Sequence, residues 1–267
     1  MPDRSVDVIF ADPPYNIGKA EWDRISSIGE YVEWCLTWLV ECERVLKTSG
    51  SCFVCGYSEI LAHLLVSSAE FFPNHRWLVW HYRNKPSLGK NDWVRSHESI
   101  LHLRLTDTFR FNADLIREPY NKHTKQYPER PQGKRSQYQK KGSDTTHWWS
   151  PDNRGAKPRD VIDIPALNNS MKEKTSHPTQ KPEALLRKLL MGTAPSDGTV
   201  VDFFLGSGTT AVVAEQLNLS WVGCEQNEEY VQLALDRVQS YLSNPVPLEK
   251  LLQTDLSQAQ NRAKVRG

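Results

Sequence analysis

The chain has 267 residues, 39% of them hydrophobic, and its 33 Lys and Arg against 32 Asp and Glu give a formal net charge of +1. This length suits one α/β domain with an insert, and the near-neutral charge excludes a protein that attracts nucleic acid through its net charge. Because there is neither an apolar run of membrane-spanning length nor a signal-peptide pattern at Met1, we expect a soluble, cytoplasmic protein without a membrane partner.

The first predicted element is a buried strand at 6–11, which ends in the tetrapeptide Asp12, Pro13, Pro14 and Tyr15. Proline cannot donate a backbone hydrogen bond, so the strand stops here. The Asp12 carboxylate and the Pro13 carbonyl can then accept hydrogen bonds from another group, beside the flat face of Tyr15. Two acceptors and a stacking ring suit the exocyclic amino group of a nucleobase held outside its helix. A simple strand-ending turn would have the same residues.

Alternating helices and strands are predicted after this tetrapeptide. We expect a loop at 12–27, helices at 28–47 and 58–71, strands at 51–56, 76–82 and 97–103, and a helix stop at 47–50. Such alternation favours a mostly parallel sheet with helices on both faces.

Cysteine and histidine give no sign of a metal site. The five cysteines are an odd number, and all lie in predicted helices or strands, so we expect buried free thiols. Cys52 and Cys55 have C-x-x-C spacing but would face opposite sides of a strand, and no second pair completes a zinc site. His123, His147 and His177 also lack ligand spacing, so we expect no metal.

Residues 104–160 are the least regular part of the chain. Within them, residues 121–160 contain ten Lys and Arg against four Asp and Glu, interleaved with aromatic residues such as Trp148 and Trp149. Basic residues among aromatic ones suit phosphate contact combined with base stacking. A solvated, partly disordered loop would have a similar composition.

A second strand–turn–helix unit is predicted near the other end. A strand at 199–204 leads into Gly206 and Gly208, which allow a ligand close to the backbone at the N-terminus of a helix at 209–217. Glu225 follows the next strand, 17 residues past Gly208, close to the roughly 20 expected for an acid that holds ribose hydroxyls. The third glycine of the dinucleotide fingerprint is missing, so a nucleoside-containing cofactor is favoured over a nicotinamide or a flavin.

The remaining predicted elements complete the alternation. We expect strands at 161–164 and 220–224, helices at 183–192 and 227–242, and a loose helix or disorder at 248–267.

Three blocks in one order resemble the S-adenosylmethionine-dependent DNA amino-methyltransferases. They are Asp-Pro-Pro-Tyr at 12–15, His-Pro-Thr-Gln-Lys-Pro at 177–182 and Asp-Phe-Phe-Leu-Gly-Ser-Gly-Thr-Thr at 202–210. The tetrapeptide precedes the glycine motif, which is the circularly permuted order of the beta class, and the resemblance covers about residues 3–240. It implies a Rossmann-like methyltransferase fold with a target-recognition insert.

The resemblance also implies a division of the chain. Residues 1–103 would form the catalytic half of the methyltransferase domain, 104–160 the basic target-recognition insert, 161–244 the cofactor-binding half, and 245–267 a C-terminal tail.

In that family, residues matching Asp12 and Pro13 accept hydrogen bonds from the target amino group, and the residue matching Tyr15 stacks on the flipped base, with Pro14 completing the motif. Trp80, His97 and Glu98 would help to line the base pocket. The cofactor-binding residues implied are Asp202, Phe203, Phe204, Gly206, Ser207, Gly208, Thr209, Thr210, Glu225, Thr179, Gln180 and Lys181.

Chemical roles can be given to two of these residues, and the block at 177–182 also has a structural explanation. Glu225 would hold the ribose, and Lys181 would pair with a carboxylate, such as that of the cofactor. The block at 177–182 equally predicts a helix start, with Thr179 as the N-cap and Pro182 opening the helix.

The implied substrates are double-stranded DNA and S-adenosylmethionine. DNA contacts are assigned to basic residues of the insert, namely Lys134, Arg135, Lys140, Lys141 and Arg154. An aspartate-first tetrapeptide favours adenine N6 as the target, with cytosine N4 as the alternative. A truncated, non-catalytic DNA-binding relative is a further alternative, because members usually have an extra stretch before the first strand and this chain begins directly before it.

The family further implies a bacterial, archaeal or phage-encoded protein, active in restriction–modification and DNA methylation. Members often dimerise, so a homodimer is possible. Methylation of protein glutamine is disfavoured, because the related tetrapeptide there begins with asparagine rather than Asp12.

Overall fold

The structure is a computed structural model that describes residues 1–16, 27–84, 91, 93–132 and 147–264. The chain divides into two compact units, one formed by Met1–Phe111 with Asp160–Gly267 and the other by Asn112–Arg159.

A mixed sheet forms the centre of the larger unit. Its strands in the described residues are β1 (Val6–Ala11), β2 (Leu46–Gly56), β3 (Asn74–His81), β4 (His97–Arg104), β7 (Val161–Asp163), β8 (Thr199–Asp202) and β9 (Ser220–Gly223). Their order is β7-β3-β4-β2-β1-β8-β9, in which β4 alone runs antiparallel to its neighbours β2 and β3. The prediction of a mostly parallel sheet is confirmed.

Helices cover both faces of this sheet. They are α1 (Ile28–Val45), α2 (Ser58–Ser67), α4 (Glu183–Thr193), α5 (Thr209–Gln216), α6 (Glu228–Ser243) and α7 (Leu248–Lys264). One apolar core joins α1 and α2 to residues such as Ile9 and Cys52, while a second joins α4 and α5 to residues such as Phe10 and Cys55. Cys52 and Cys55 therefore face opposite sides of β2, as their spacing predicts.

The smaller unit contains a 3-10 turn at Ala113–Ile116, the short helix α3 (Lys122–Gln126) and the antiparallel pair β5 (Arg130–Gln132) and β6 (His147–Trp149). The Arg117 side chain is 8% exposed, and its guanidinium pairs with Asp114 at 2.8 Å and with Asp152 at 2.9 Å. Thr124, capped into α3 through Asn121, is also buried.

Three local predictions are wrong. Residues 47–50 are not a helix stop, because α1 ends at Val45 and Leu46 already pairs with Val6 as the first residue of β2. Thr179 is not an N-cap, because Pro182 has that position in α4. Cys224 is exposed rather than buried. For the tail, of the two predicted alternatives, a loose helix or disorder, the structure has a helix, α7.

None of the helices within the described residues is long and apolar enough to cross a lipid bilayer.

Candidate active site

The tetrapeptide and the glycine motif follow neighbouring parallel strands. Asp12 comes directly after β1, and Asp202 is the last residue of β8, which pairs with β1 in parallel register. Because the carboxyl ends of parallel strands meet at one edge of a sheet, the two motifs lie side by side. This edge is where ligands bind in open α/β sheets.

Asp12 and four other side chains form a compact polar cluster. The Lys181 ammonium donates to Asp12 Oδ2 at 2.6 Å and lies 3.5 Å from Glu98 Oε2. The Tyr15 hydroxyl donates to Asp12 Oδ1 at 2.8 Å and lies 3.1 Å from Glu98 Oε2. Tyr82, from the other side, donates to Glu98 Oε1 at 3.3 Å. Two carboxylates therefore share one ammonium in a largely buried site.

Burial and the ammonium act in opposite directions on this cluster. Burial raises the pKa of Asp12, and the adjacent Lys181 charge works against that rise. Burial disfavours the charged form of Lys181, yet Asp12 and Glu98 together hold its pKa above the usual value. Burial, followed by the charges of Asp12 and Glu98, holds the pKa of Tyr15 well above its usual value. Lys181 thus favours the charged form of the buried Asp12 carboxylate, together with the Tyr15 hydroxyl.

A pocket opens beside this cluster. It is lined by Tyr15, Trp80, Glu98, Ala166, Leu167, Lys174, Pro178, Thr179, Gln180 and Lys181. An aromatic wall at Trp80 and polar groups at Glu98 and Lys181 match the composition of small-molecule sites, in which few polar groups orient a flat apolar ligand. Trp80 is fixed by its own hydrogen bond to the Ile164 carbonyl, at 2.8 Å.

The tetrapeptide is held by aromatic residues that sequence reasoning did not identify. The Tyr31 hydroxyl, on α1, donates to the Pro14 carbonyl at 2.5 Å. The Tyr15 ring packs edge-on against Tyr57, with 5.1 Å between ring centroids. Neither contact can be predicted from a local sequence pattern, because both join residues far apart in the sequence.

The glycine turn is built around Asp202. Its Oδ1 accepts the Phe204 amide at 2.9 Å, and its Oδ2 accepts the Thr210 hydroxyl at 2.5 Å. Burial raises the pKa of Asp202 to about 7, against the effect of those two donors. Gly206 and Gly208 have φ values of +51° and +77°, a region that L residues rarely adopt. The turn therefore depends on both glycines and on one acid beneath them.

Glu225 and Phe204 complete the surface beside this turn. Glu225 accepts the Gly206 amide at 2.8 Å and the Asn227 amide at 2.9 Å. A carboxylate has about four acceptor sites, so it retains capacity for the two hydroxyls of a ribose. Phe204 packs against Trp38, with 5.3 Å between ring centroids. An acid, a glycine turn and the N-terminus of α5 fit a nucleoside-containing cofactor such as S-adenosylmethionine.

The middle block, 177–182, lies beside the tetrapeptide. Thr179, Gln180 and Lys181 line the pocket beside Asp12. The Lys181 ammonium pairs with Asp12, a carboxylate of the protein rather than of a cofactor. Gln180 is bound to the backbone amide of Thr175 and to the Glu173 carbonyl. This block directly precedes α4. Since α4 packs against β1 residues such as Phe10, the block lies near the end of β1, where Asp12 is.

Several predicted cofactor side chains already have protein partners. The Thr209 hydroxyl donates to the Lys181 carbonyl at 3.1 Å, and Ser207 lies 3.2 Å from that hydroxyl. Phe203 is half-buried against the α1 core. Trp80 and Glu98 line the pocket beside Asp12, whereas His97 lies opposite His81 in the β3–β4 pairing.

His177 lies under the glycine turn. The sequence alone predicts no role for it there. Its ring packs against Tyr230 with 4.5 Å between centroids, and a Cβ at Gly206 would be 3.0 Å from its Nε2. Burial lowers the pKa of His177 to about 4, and neighbouring cations reinforce this shift. A neutral imidazole therefore fills the space that a side chain at position 206 would need.

Most of the predicted DNA contacts lie outside the described residues, namely Lys134, Arg135, Lys140 and Lys141, as does the stretch 17–26 of the predicted loop. Arg154 is described and half-exposed, and its guanidinium pairs with Asp152 at 2.7 Å and also with Asp114. In the part of the chain that is described, no group of three His, Cys, Asp or Glu residues could hold a metal ion.

Comparisons with known proteins agree on one family. The family model described as DNA methylase matches residues 6–236. The DNA adenine methyltransferase YhdJ of Escherichia coli (strain K12) is 32% identical over 241 residues, which cover 89% of this chain and 78% of YhdJ.

Solved structures agree on the fold. The cytosine-N4-specific PvuII DNA methyltransferase has a TM-score of 0.65 at 18% identity, covering 95% of this chain and 85% of that chain. The M1.HpyAVI–SAM complex has a TM-score of 0.56 at 21% identity, covering 88% of this chain and 89% of that chain. The predicted Rossmann-like methyltransferase fold is confirmed.

Proposed function

The chain belongs to the N6/N4 family of DNA methylases, and we propose that it methylates the N6 amino group of an adenine flipped out of duplex DNA. DNA is the substrate of this family and S-adenosylmethionine is its methyl donor. The observation that supports the finer assignment is the aspartate-first tetrapeptide at the mouth of the pocket beside Glu98 and Lys181. The adenine specificity in the name of the relative YhdJ agrees with it.

The roles proposed for Asp12 and Pro13 follow from the low nucleophilicity of the target amino group. An aromatic amine delocalises its lone pair into the ring, and two acceptors on its N–H groups would draw that nitrogen toward tetrahedral geometry. Bound S-adenosylmethionine supplies an electrophilic methyl group. The Asp12 carboxylate has two acceptor sites left beyond those used by Tyr15 and Lys181, so it can receive the amine without losing either partner.

The rest of the work is positioning. Tyr15 would stack on the base, and the pocket would exclude water from the reacting nitrogen. The glycine turn and Glu225 would hold the cofactor's amino acid and ribose portions. After methylation the nitrogen loses one proton, which the Asp12 carboxylate would accept. Orientation of two bound reactants accounts for a large share of the barrier reduction, on the order of 7 kcal/mol or more.

Cytosine N4 is the alternative target, because a pair of acceptors serves either exocyclic amine and the family includes both specificities. Lys134, Arg135, Lys140 and Lys141 would contact phosphates of the DNA near the target site. The enzyme would act where bacterial DNA is, in the cytoplasm.

Long-read sequencing of DNA from a methylation-free host that expresses the chain would test this function. We expect N6-methyladenine in one short motif, lost with Asp12→Ala and retained with the surface control Asp3→Ala. N4-methylcytosine would instead identify the alternative target. If the wild type modifies no base, the chain is a non-catalytic relative and the proposal is wrong.

A further inference from the structure

The C-terminal helix α7 is tied to the body of the larger unit by one buried cation. Its residues Leu248, Leu251, Leu252 and Asp255 are half-buried and share one helical face, with exposed residues such as Glu249 on the other side. Asp255 makes a two-pronged pair with Arg187 on α4, in which Nε and Nη2 donate to the two carboxylate oxygens at 2.9 Å each. Arg187 is only 5% exposed.

Arg187 passes the connection on through α4 and α5. Its Nη1 donates to Gln216 Oε1 at 2.7 Å and lies 3.3 Å from Glu183 Oε2. Gln216 in turn donates to the same Glu183 oxygen at 2.8 Å. Glu183 Oε2 is therefore contacted by Arg187, the same guanidinium that pairs with Asp255.

The other oxygen of Glu183 connects to the glycine turn. Glu183 Oε1 accepts Arg237 Nη2, on α6, at 2.9 Å. Arg237 Nη1 donates to the Ser207 carbonyl at 2.6 Å and lies 3.2 Å from Thr209 Oγ1. Ser207 lies between the two glycines of positive φ, so Arg237 holds the turn at its most constrained point.

We propose that α7 is a latch for the cofactor-binding turn, and that Asp255 is a positioning residue that acts on Ser207 through Arg187, Glu183 and Arg237. The charges along this path alternate: Asp255, Arg187, Glu183 and Arg237. Removing the terminal anion leaves a buried guanidinium without its main partner, which is costly. Arg187 then competes with Arg237 for Glu183, and the hold on the Ser207 carbonyl weakens.

The latch rests on the proposed role of the glycine turn in holding S-adenosylmethionine. It adds a consequence that the turn alone does not have: cofactor affinity depends on a helix that contributes no residue to the turn. Any event that displaces α7, such as a partner binding its leucine face, would lower cofactor affinity.

The test is calorimetric titration of the purified full chain with S-adenosylmethionine, followed in parallel by fluorescence of Trp34 and Trp38, which pack on Phe204. We expect Asp255→Asn to raise the Kd by roughly 3- to 10-fold. In turnover assays it raises the KM for the cofactor and leaves kcat at saturating cofactor close to that of the wild type. The control Glu249→Gln, on the exposed side of the same helix, leaves both unchanged.

A double-mutant cycle separates the latch from a general loss of stability. Arg237→Gln and Asp255→Asn together should raise the Kd by less than the product of the single effects, because both break one path. Independent, multiplicative effects would overturn the latch, as would an unchanged Kd in Asp255→Asn. A wild type that binds no cofactor would overturn the proposed function itself, and the latch with it.

Discussion

The proposed role of Asp12 as a hydrogen-bond acceptor for the target amine needs its charged carboxylate, and burial works against that charge. Its pKa is raised by burial, and the nearby Glu98 adds to the rise, while the Lys181 ammonium and, less strongly, the Tyr15 hydroxyl oppose it. If Asp12 has this role, its charge at neutral pH depends mainly on the Lys181 ammonium, 2.6 Å from its Oδ2. This dependence makes the pH profile of the reaction a sensitive measure of the pair.

Lys181→Gln should lower kcat by about 100-fold near pH 7, because the Asp12 pKa then rises and the protonated acid no longer accepts the amine. The loss should shrink as pH rises through the new Asp12 pKa, whereas the wild type changes little over the same range. The measurement is kcat from pH 6 to 9.5. Lys47→Gln is the control, since it breaks another Lys–Asp pair, with Asp7, far from the pocket. A profile parallel to that of the wild type would remove Lys181 from this role.

Gly208 is the residue at which backbone conformation and packing both forbid a side chain. Its φ is +77°, and an added Cβ would lie 2.6 Å from Ala234 Cβ on α6. Gly208→Ala should therefore lower the free energy of unfolding by about 1–3 kcal/mol and weaken cofactor binding. Gly29→Ala, in α1, is the matched control: its Cβ would meet nothing closer than 3.9 Å, so stability should hold or rise. Chemical denaturation and cofactor titration measure both, and equal behaviour of the two variants would contradict the assignment.

At the scale of elements, Glu183 at the start of α4 has an acidic neighbour, Glu173, whose ionisation is disfavoured in the folded state. Burial, reinforced by Glu183, raises the pKa of Glu173 from 4.5 to about 7. The folded state therefore binds more protons than the unfolded state between these values, and stability falls as pH rises from 4.5 to 7. By pH 7 most of the stability that the protonated Glu173 contributes has been lost.

Glu173→Gln should cancel this dependence. The stability of the wild type relative to the variant should fall by on the order of 2 kcal/mol between pH 4.5 and pH 7.5 and then level off. Urea unfolding at a series of pH values measures it, with Glu228→Gln, an exposed acid at the start of α6, as the control. A wild-type-minus-variant difference that stays constant with pH would show that Glu173 is not the titrating group.

The elements show what sequence can and cannot predict. The apolar run at 6–11, the glycine turn and the helix after it are local patterns, and the structure has them within a residue or two. Residues 47–50 look like a helix stop locally, but pairing of Leu46 with Val6 extends β2 over them. The partner of Lys181 was equally hidden, because Asp12 lies 169 residues away and only the fold brings them together. Tyr31, Arg237 and Asp255 act through contacts of the same long-range kind.

At the scale of the whole molecule, charge is nearly balanced, so attraction to DNA has to come from its distribution. The net charge is +1, while residues 121–160 contain ten Lys and Arg against four Asp and Glu. Arg154 is already paired with Asp152 and Asp114, so it adds little free positive charge. The adjacent Lys140 and Lys141, which lie outside the described residues, are therefore the sharper test of the basic insert.

Each lysine that neutralises a phosphate releases a counterion, and each such contact contributes about 0.9 to the slope of log K against log salt. If both Lys140 and Lys141 contact phosphates, Lys140→Gln with Lys141→Gln should flatten that slope by about 1.8 and weaken binding at low salt. Fluorescence anisotropy with a labelled duplex from 50 to 300 mM salt measures it. Lys172→Gln with Lys250→Gln, two exposed lysines outside the insert, removes the same charge and should leave the slope unchanged. If the two double variants shift the slope equally, binding depends on total charge rather than on the insert, and target recognition must lie elsewhere in the chain.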